Sequence, residues 1–123
     1  MLSRRPIIPT EHQEQLVVVA WLRARRIRFF AVPNGGARSA ITGARLRAEG
    51  QSAGVPDLII TTTPPGKFGI VAVALEMKRR KGGSISVEQR EWLDHLKAQG
   101  WACHVAMGAD DAIAWLESLY GRA

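Results

Sequence analysis

The sequence predicts one α/β domain in which a small mixed sheet lies between helices. The chain has 123 residues, 46% of them hydrophobic and 23% charged, values that are typical of a soluble domain and exclude a disordered chain. Predicted helices and strands follow the order α-β-α-β-β-α-β-α, a pattern that places helices on the faces of one sheet. No repeat or linker divides the sequence, so we expect a single domain over residues 1–123 with its core at about 10–107.

Local patterns justify each element in turn. Capping-box pairs begin two helices, because Thr10 and Ser86 are each followed three residues later by Gln. The strands are rich in β-branched and aromatic residues. The predicted elements are a helix from Thr10 to about Arg25–Arg26, a strand over Ile27–Val32, a helix from Ser39 to about Glu49, strands over Asp57–Thr62 and Gly69–Lys78, a helix from Ser86 to about Gln99, a strand over Trp101–Met107 and a helix over Gly108–Tyr120.

Charge gives the first indication of a partner. The net charge is +6, and residues 1–50 alone contain nine basic and three acidic side chains. A basic half suits a polyanion, above all nucleic acid. A solvated surface that keeps a small protein soluble is an equally compatible interpretation.

The sequence also excludes several classes of protein. No apolar run approaches the roughly 20 residues that a membrane helix needs. The single cysteine, Cys103, excludes an internal disulfide and a cysteine-rich zinc site. We therefore expect a protein without a membrane anchor that is located in the cytoplasm.

Three chemically active side chains are predicted to meet at one edge of the sheet. The strand over Gly69–Lys78 is almost continuously apolar, which predicts a central position with cover on both faces. The Pro64–Gly66 turn can fold it against the preceding strand as a hairpin. Asp57 begins that preceding strand, and Glu76 and Lys78, two residues apart, project from the same face of the next.

Two carboxylates beside a lysine suit phosphodiester hydrolysis. Carboxylate oxygens can hold Mg²⁺ or Mn²⁺, which lowers the pKa of a bound water. Lys78 can orient that water or stabilise the developing charge. The alternative interpretation is a solvated ion pair at a strand end, with Asp57 as a turn residue after Pro56.

The two segments that contain these side chains resemble the PD-(D/E)XK nuclease signature. They are Gly54–Ile60 (Gly-Val-Pro-Asp-Leu-Ile-Ile) and Leu75–Lys78 (Leu-Glu-Met-Lys). Three further segments resemble the virus-type replication-repair nuclease (VRR-NUC) domain: Thr10–Gln15, Val32–Ser39 and Gly82–Trp92. The resemblance covers about residues 10–107. It implies a restriction-endonuclease-like fold and a metal-dependent nuclease, with Asp57 and Glu76 as metal ligands and Lys78 as the catalytic lysine.

The resemblance also implies a substrate and an assembly. Family members without attached domains are similar to archaeal Holliday junction resolvases, which act as homodimers on branched DNA. We therefore expect a structure-selective endonuclease that cuts four-way junctions as a homodimer. The apolar third strand and last helix, with four tryptophans, favour an interface as well.

Two supporting residues have alternative interpretations. Glu11 matches an N-terminal acidic residue of the family and is a candidate third metal ligand, although a glutamate in the first turn also favours the helix dipole. Glu14, one turn away, is a weaker candidate. Gln89 matches a glutamine near the family's active site, and the capping box with Ser86 accounts for it equally well.

Basic and small residues near these segments are candidates for DNA binding. Glycines beside Asn34 let the backbone approach a ligand, and Arg38 with the helix that starts at Ser39 can cradle a phosphate. Arg79, Arg80 and Lys81 follow the catalytic strand, with a solvated charge run as the alternative. Two other functions stay open: a non-catalytic nucleic-acid-binding module, and a nuclease of the same fold that acts on flaps, single strands or RNA.

Overall fold

The predicted order of elements is confirmed. The computed structural model describes residues 7–33 and 39–122, within which four helices flank one four-stranded sheet. The helices are α1 (Glu11–Ala24), α2 (Ala40–Ala48), α3 (Val87–Ala98) and α4 (Ala109–Tyr120), and the strands are β1 (Phe29–Ala31), β2 (Leu58–Ile60), β3 (Val73–Lys78) and β4 (Ala102–Met107).

The sheet is mixed, with the strands in the order β1-β2-β3-β4. β1 pairs with β2, and β2 with β3, in antiparallel fashion, as the predicted hairpin requires. β3 and β4 are parallel, because α3 forms the crossover between them. β3 is therefore an inner strand, and its six residues are all buried, which confirms the prediction from its apolar run.

The first three strands are shorter than predicted. Arg26 has a φ of 57°, so the chain leaves α1 through a left-handed residue and Ile27 enters the core before the strand begins. Before β3, the backbone N–H of Ile70 donates to Lys67 in a turn, and that of Val71 donates to Gly100. These residues satisfy their backbone groups outside the β2–β3 ladder.

Apolar side chains fill the space on both faces of the sheet. On one face, α1 and α4 pack against β2 and β3 through a cluster that includes Val18, Leu58, Leu75, Met77 and Leu116. On the other face, α3 contributes Leu96 to a smaller cluster with Ile59 and Ala74, and Trp92 and Trp101 are partly buried beside it. The alternation of side chains along β3 sends Glu76 and Lys78 toward the α3 side.

The apolar surface that favoured a dimer interface is used within the monomer. β3 is fully buried, and Ala112, Leu116 and Tyr120 of α4 lie in the main core cluster. β3 and this face of α4 are therefore not available to a partner, because the strand is an inner one and the α4 side chains pack on the sheet and α1. The homodimer itself stays a prediction. None of the helices in the described part of the chain has the length and apolar character to cross a membrane.

Candidate active site

The two inner strands bring the predicted carboxylates together. Leu58 pairs with Leu75 across the β2–β3 ladder, so the preceding Asp57 faces the following Glu76. Oδ2 of Asp57 accepts a hydrogen bond of 2.7 Å from the backbone N–H of Met77, which fixes its carboxylate beside β3. The site therefore lies at the end of two inner strands, rather than on a strand at the edge of the sheet.

A cleft of about 620 Å³ opens over these side chains. Asp57, Glu76 and Gln89 line one side, and the residues from α1 that line it are Glu11, His12 and Gln15. The end of β1, from Ala31 to Pro33, completes the lining. The helix that carries the predicted third acidic residue is therefore part of the same cleft.

Lys78, Gln89 and Glu76 form one hydrogen-bonded set. Nζ of Lys78 donates to Oε1 of Gln89 at 3.0 Å and lies 3.6 Å from Oε1 of Glu76. Nε2 of Gln89 donates to the same Glu76 oxygen at 2.7 Å. The side chains of Lys78 and Glu76 are only 10% and 2% exposed, so these contacts are shielded from water.

Both interpretations of Gln89 fit the structure at once. Oε1 of Gln89 also accepts from the backbone N–H of Ser86, and the Ser86 hydroxyl accepts from the backbone N–H of Gln89. Because the ammonium of Lys78 and the N–H of Ser86 can only donate, Oε1 must face them and the amide nitrogen must face Glu76. The capping box therefore sets the orientation of the amide at the carboxylate; a catalytic role for Gln89 stays a prediction.

Burial and repulsion perturb both carboxyl groups. Burial, followed by the charge of Asp57, raises the pKa of Glu76 to about 8, and Lys78 opposes the shift. Burial likewise raises the pKa of Asp57, although the hydrogen bond from Met77 opposes it. Two neighbouring carboxylates that resist ionisation favour either a shared proton or a bound cation.

One atom in the site supports the fit of a cation. Oε2 of Glu76 is buried and has no hydrogen-bond partner among the described residues. Mg²⁺ needs few protein ligands because it keeps several of its waters, so a pair of carboxylates such as Asp57 and Glu76 fits this ion. The role of the two residues as metal ligands stays a prediction. Within residues 7–33 and 39–122, no three His, Cys, Asp or Glu side chains converge closely enough to hold a metal. Glu11 lines the cleft, and its role as a third ligand stays a prediction.

Glu14 faces away from the cleft. Its carboxylate is covered by Arg80, whose Nε and Nη2 donate to the two oxygens at 2.9 and 2.8 Å. The backbone N–H of Ala109 donates to Oε1 at 3.3 Å. The hydrogen bond from Arg80 holds the pKa of Glu14 below its ordinary value, and the pair joins α1, the end of β3 and the start of α4.

The predicted DNA contacts have different surroundings. Asn34 and Arg38 lie outside the described residues. Ser39 caps α2, since its hydroxyl accepts from the backbone N–H of Thr42. Arg79 and Lys81 are exposed, whereas Arg80 binds Glu14 and leaves 43% of its side chain exposed. Contact of these residues with DNA stays a prediction.

Sequence reasoning missed His12 and Gln15 as lining residues of the cleft. Gln15 lies four residues after Glu11, so the two share a face of α1. Once Glu11 is assigned to the site, that spacing is enough to predict that Gln15 faces the cleft as well. His12 carries no comparable signal, because its place on the wall depends on how α1 crosses the strand ends.

Two glycines allow the close packing on which the site depends. A Cβ on Gly54 would lie 2.4 Å from the carbonyl carbon of Glu88 and 2.6 Å from the backbone nitrogen of Gln89. A Cβ on Gly83 would lie 2.8 Å from Cβ of Lys78. The loop before Asp57 thus rests on the first turn of α3, and the loop after β3 folds back over Lys78.

Comparison with known proteins identifies the family and supports the fold. The VRR-NUC domain family matches residues 5–110 of the chain. A solved structure titled VRR_NUC domain protein is similar with a TM-score of 0.76, covering 92% of this chain and 89% of its own at 22% identity, a likeness that bears on the fold alone. No curated protein matches the chain. Because the family match spans most of the sequence, the protein belongs to the VRR-NUC family.

Proposed function

We propose that this protein is a metal-dependent DNA endonuclease that hydrolyses phosphodiester bonds in branched DNA. Membership of the VRR-NUC family implies a nuclease that binds nucleic acid. The observation that carries the proposal is the pair of adjacent carboxyl groups, Asp57 half-buried and Glu76 buried, beside the ammonium of Lys78. One Glu76 oxygen has no hydrogen-bond partner among the described residues. A module that only binds DNA has no need for carboxylates that repel phosphate.

Each side chain of the site has a role in this proposal. Asp57 and Glu76 would hold Mg²⁺ or Mn²⁺, which when bound would lower the pKa of a water and polarise the phosphate. Lys78 donates a hydrogen bond to the attacking water or to a phosphate oxygen. Gln89 keeps Glu76 and Lys78 in a fixed relation through its two amide atoms. The cleft beside α1 receives the strand that is cut.

A cleavage assay across pH tests both the reaction and the metal. Four-way junction, flap, splayed-arm, single-stranded and duplex DNA, and RNA, are incubated with Mg²⁺, Mn²⁺ or EDTA between pH 6 and 9. We expect junction cleavage with either metal and none in EDTA. Below the Glu76 pKa of about 8 the metal must displace a proton, so the half-saturating Mg²⁺ concentration should rise as the pH falls.

An Asp57→Asn protein, purified in parallel, serves as the control for contaminating nucleases. A wild-type protein that binds DNA but cuts no substrate with either metal would replace this proposal with the binding module. Preferential cutting of flaps, single strands or RNA would support the proposed nuclease activity but contradict the proposed preference for branched DNA.

The proposal includes a homodimer located in the cytoplasm. A four-way junction has two-fold symmetry, and one chain supplies one Asp57, Glu76 and Lys78 set, so a symmetric dimer is the commonest way to make paired cuts. Exposed apolar side chains suitable for an interface are Leu16 and Val17 on α1 and Phe30 on β1. We expect sedimentation velocity at micromolar concentration to give a dimer; a monomer that makes paired cuts would contradict this.

A further inference from the structure

The helix α2 receives little support from the rest of the fold. Seven of its nine residues are exposed, and only Gly43 and Leu46 are half-buried. A helix of this length is marginal in water unless packing stabilises it, and a glycine in its interior costs about 1 kcal/mol relative to alanine. The structure thus contains a helix whose formation is not explained by burial within the monomer.

The segment that carries α2 begins and ends at residues of the cleft wall. The chain enters this segment from Pro33 and leaves it at Asp57, and both residues line the cleft. The loop that follows α2 is fixed to α3, because Nε1 of Trp92 donates to the Ser52 hydroxyl at 3.1 Å. The chain on both sides of α2 is therefore anchored at the cleft, at Pro33 before the helix and at Asp57 after it.

The charge of α2 suits a polyanion. Arg45 and Arg47 are exposed, and the first turn has no acidic residue. Glu49 lies 3.6 Å from Arg45, and an exposed pair of this kind holds its partners only weakly. The cleft itself presents three carboxyl groups, Glu11, Asp57 and Glu76, so phosphates beside it need compensating cations.

We propose that α2 binds the phosphate backbone of the nucleic acid, next to the phosphate that occupies the cleft, through Arg45 and Arg47. This rests on the proposed nuclease function and extends its substrate contact to a segment beyond the cleft. The nucleic acid supplies the stabilisation that α2 lacks in the free protein. A second copy of the chain, attracted by Ile41, which is 83% exposed, is the competing occupant.

The test measures binding of a fluorescent four-way junction in EDTA, so that the measured affinity does not depend on whether the protein cleaves DNA. The variant is Arg45→Ala/Arg47→Ala, in which alanine keeps or improves helix propensity. We expect about a tenfold weaker Kd at 0.1 M salt, and a slope of log Kd against log salt lower by about 2, from two lost phosphate contacts.

The matched control is Lys67→Ala/Lys97→Ala. It also removes two positive charges, but from the far end of the sheet: Lys67 lies in the β2–β3 connection and Lys97 in the last turn of α3. This control should keep the wild-type salt slope. Hydrogen exchange of residues 40–48 should also slow when DNA is added to the wild-type protein.

Two outcomes would overturn the inference. One is equal weakening in both double variants, since net charge alone would then explain the effect. Another is an unchanged Kd and salt slope in the Arg45→Ala/Arg47→Ala variant. If the sedimentation coefficient of that variant also fell, α2 would be assigned to contact with a second copy. Each outcome is separable from the proposed nuclease function, which depends on cleavage in Mg²⁺.

Discussion

A Lys78→Met substitution should slow phosphodiester cleavage about a thousandfold, the usual effect of removing a cationic donor from an active site. Methionine preserves the length and apolar stem of the lysine but cannot donate to Gln89 or offset the charge of Glu76, 3.6 Å away. DNA affinity should change little, because surface contacts with phosphates supply most of it. Single-turnover cleavage in Mg²⁺ and fluorescence anisotropy in EDTA measure the two quantities separately.

The matched control for this substitution is Lys67→Met, which removes an exposed lysine at the other end of the sheet. Its cleavage rate should equal that of the wild type. If Lys78→Met retained a rate within a few-fold of wild type, Lys78 would have no role in the chemistry and the proposed mechanism would lose its cationic group.

A Gly54→Ala substitution should cost roughly 3–4 kcal/mol of unfolding free energy, from a positive φ and from overpacking. The φ of Gly54 is 85°, and a Cβ there would lie 2.4 to 2.7 Å from backbone atoms of Glu88 and Gln89. Backbone cannot yield as a flexible side chain does, so the loop must move away from α3. Urea unfolding measures the loss, and cleavage should fall because Gln89 shifts relative to Glu76.

Gly66→Ala separates the two causes. Gly66 has a similar φ of 73°, but nothing lies within 4 Å of its added Cβ, so only the backbone strain of about 1–2 kcal/mol applies. Equal losses in the two variants would show that contact between the loop and α3 contributes nothing, contrary to the packing described at Gly54.

Local rules were sufficient to predict most of the fold and the centre of the site. Capping boxes located the starts of α1 and α3, and the turn at Pro64–Gly66 with side-chain alternation placed Asp57 and Glu76 together. These features depend on residues that are close in sequence or joined by one hairpin. The VRR-NUC resemblance then agreed with the family match.

The features that were not predicted depend on contacts between distant parts of the chain. Arg80 pairs with Glu14 across 66 positions, and no pattern near either residue specifies that partner. His12 reaches the cleft wall through the crossing of α1 over the strand ends. The lack of burial along α2 likewise follows from how the other helices fill the two faces of the sheet.

The shared use of the Gln89 amide couples fraying of α3 to the orientation of that amide at Glu76. When the first turn of α3 opens, the Ser86 backbone releases Oε1, and the constraint on the amide that faces Glu76 is lost with it. Local opening at helix ends is among the least costly motions of a folded protein. The fraction of molecules in which this amide is held toward Glu76 therefore follows the stability of one helical turn. Ser86, an exposed residue, therefore affects the orientation of an amide at Glu76, and with it the proposed reaction, through that turn.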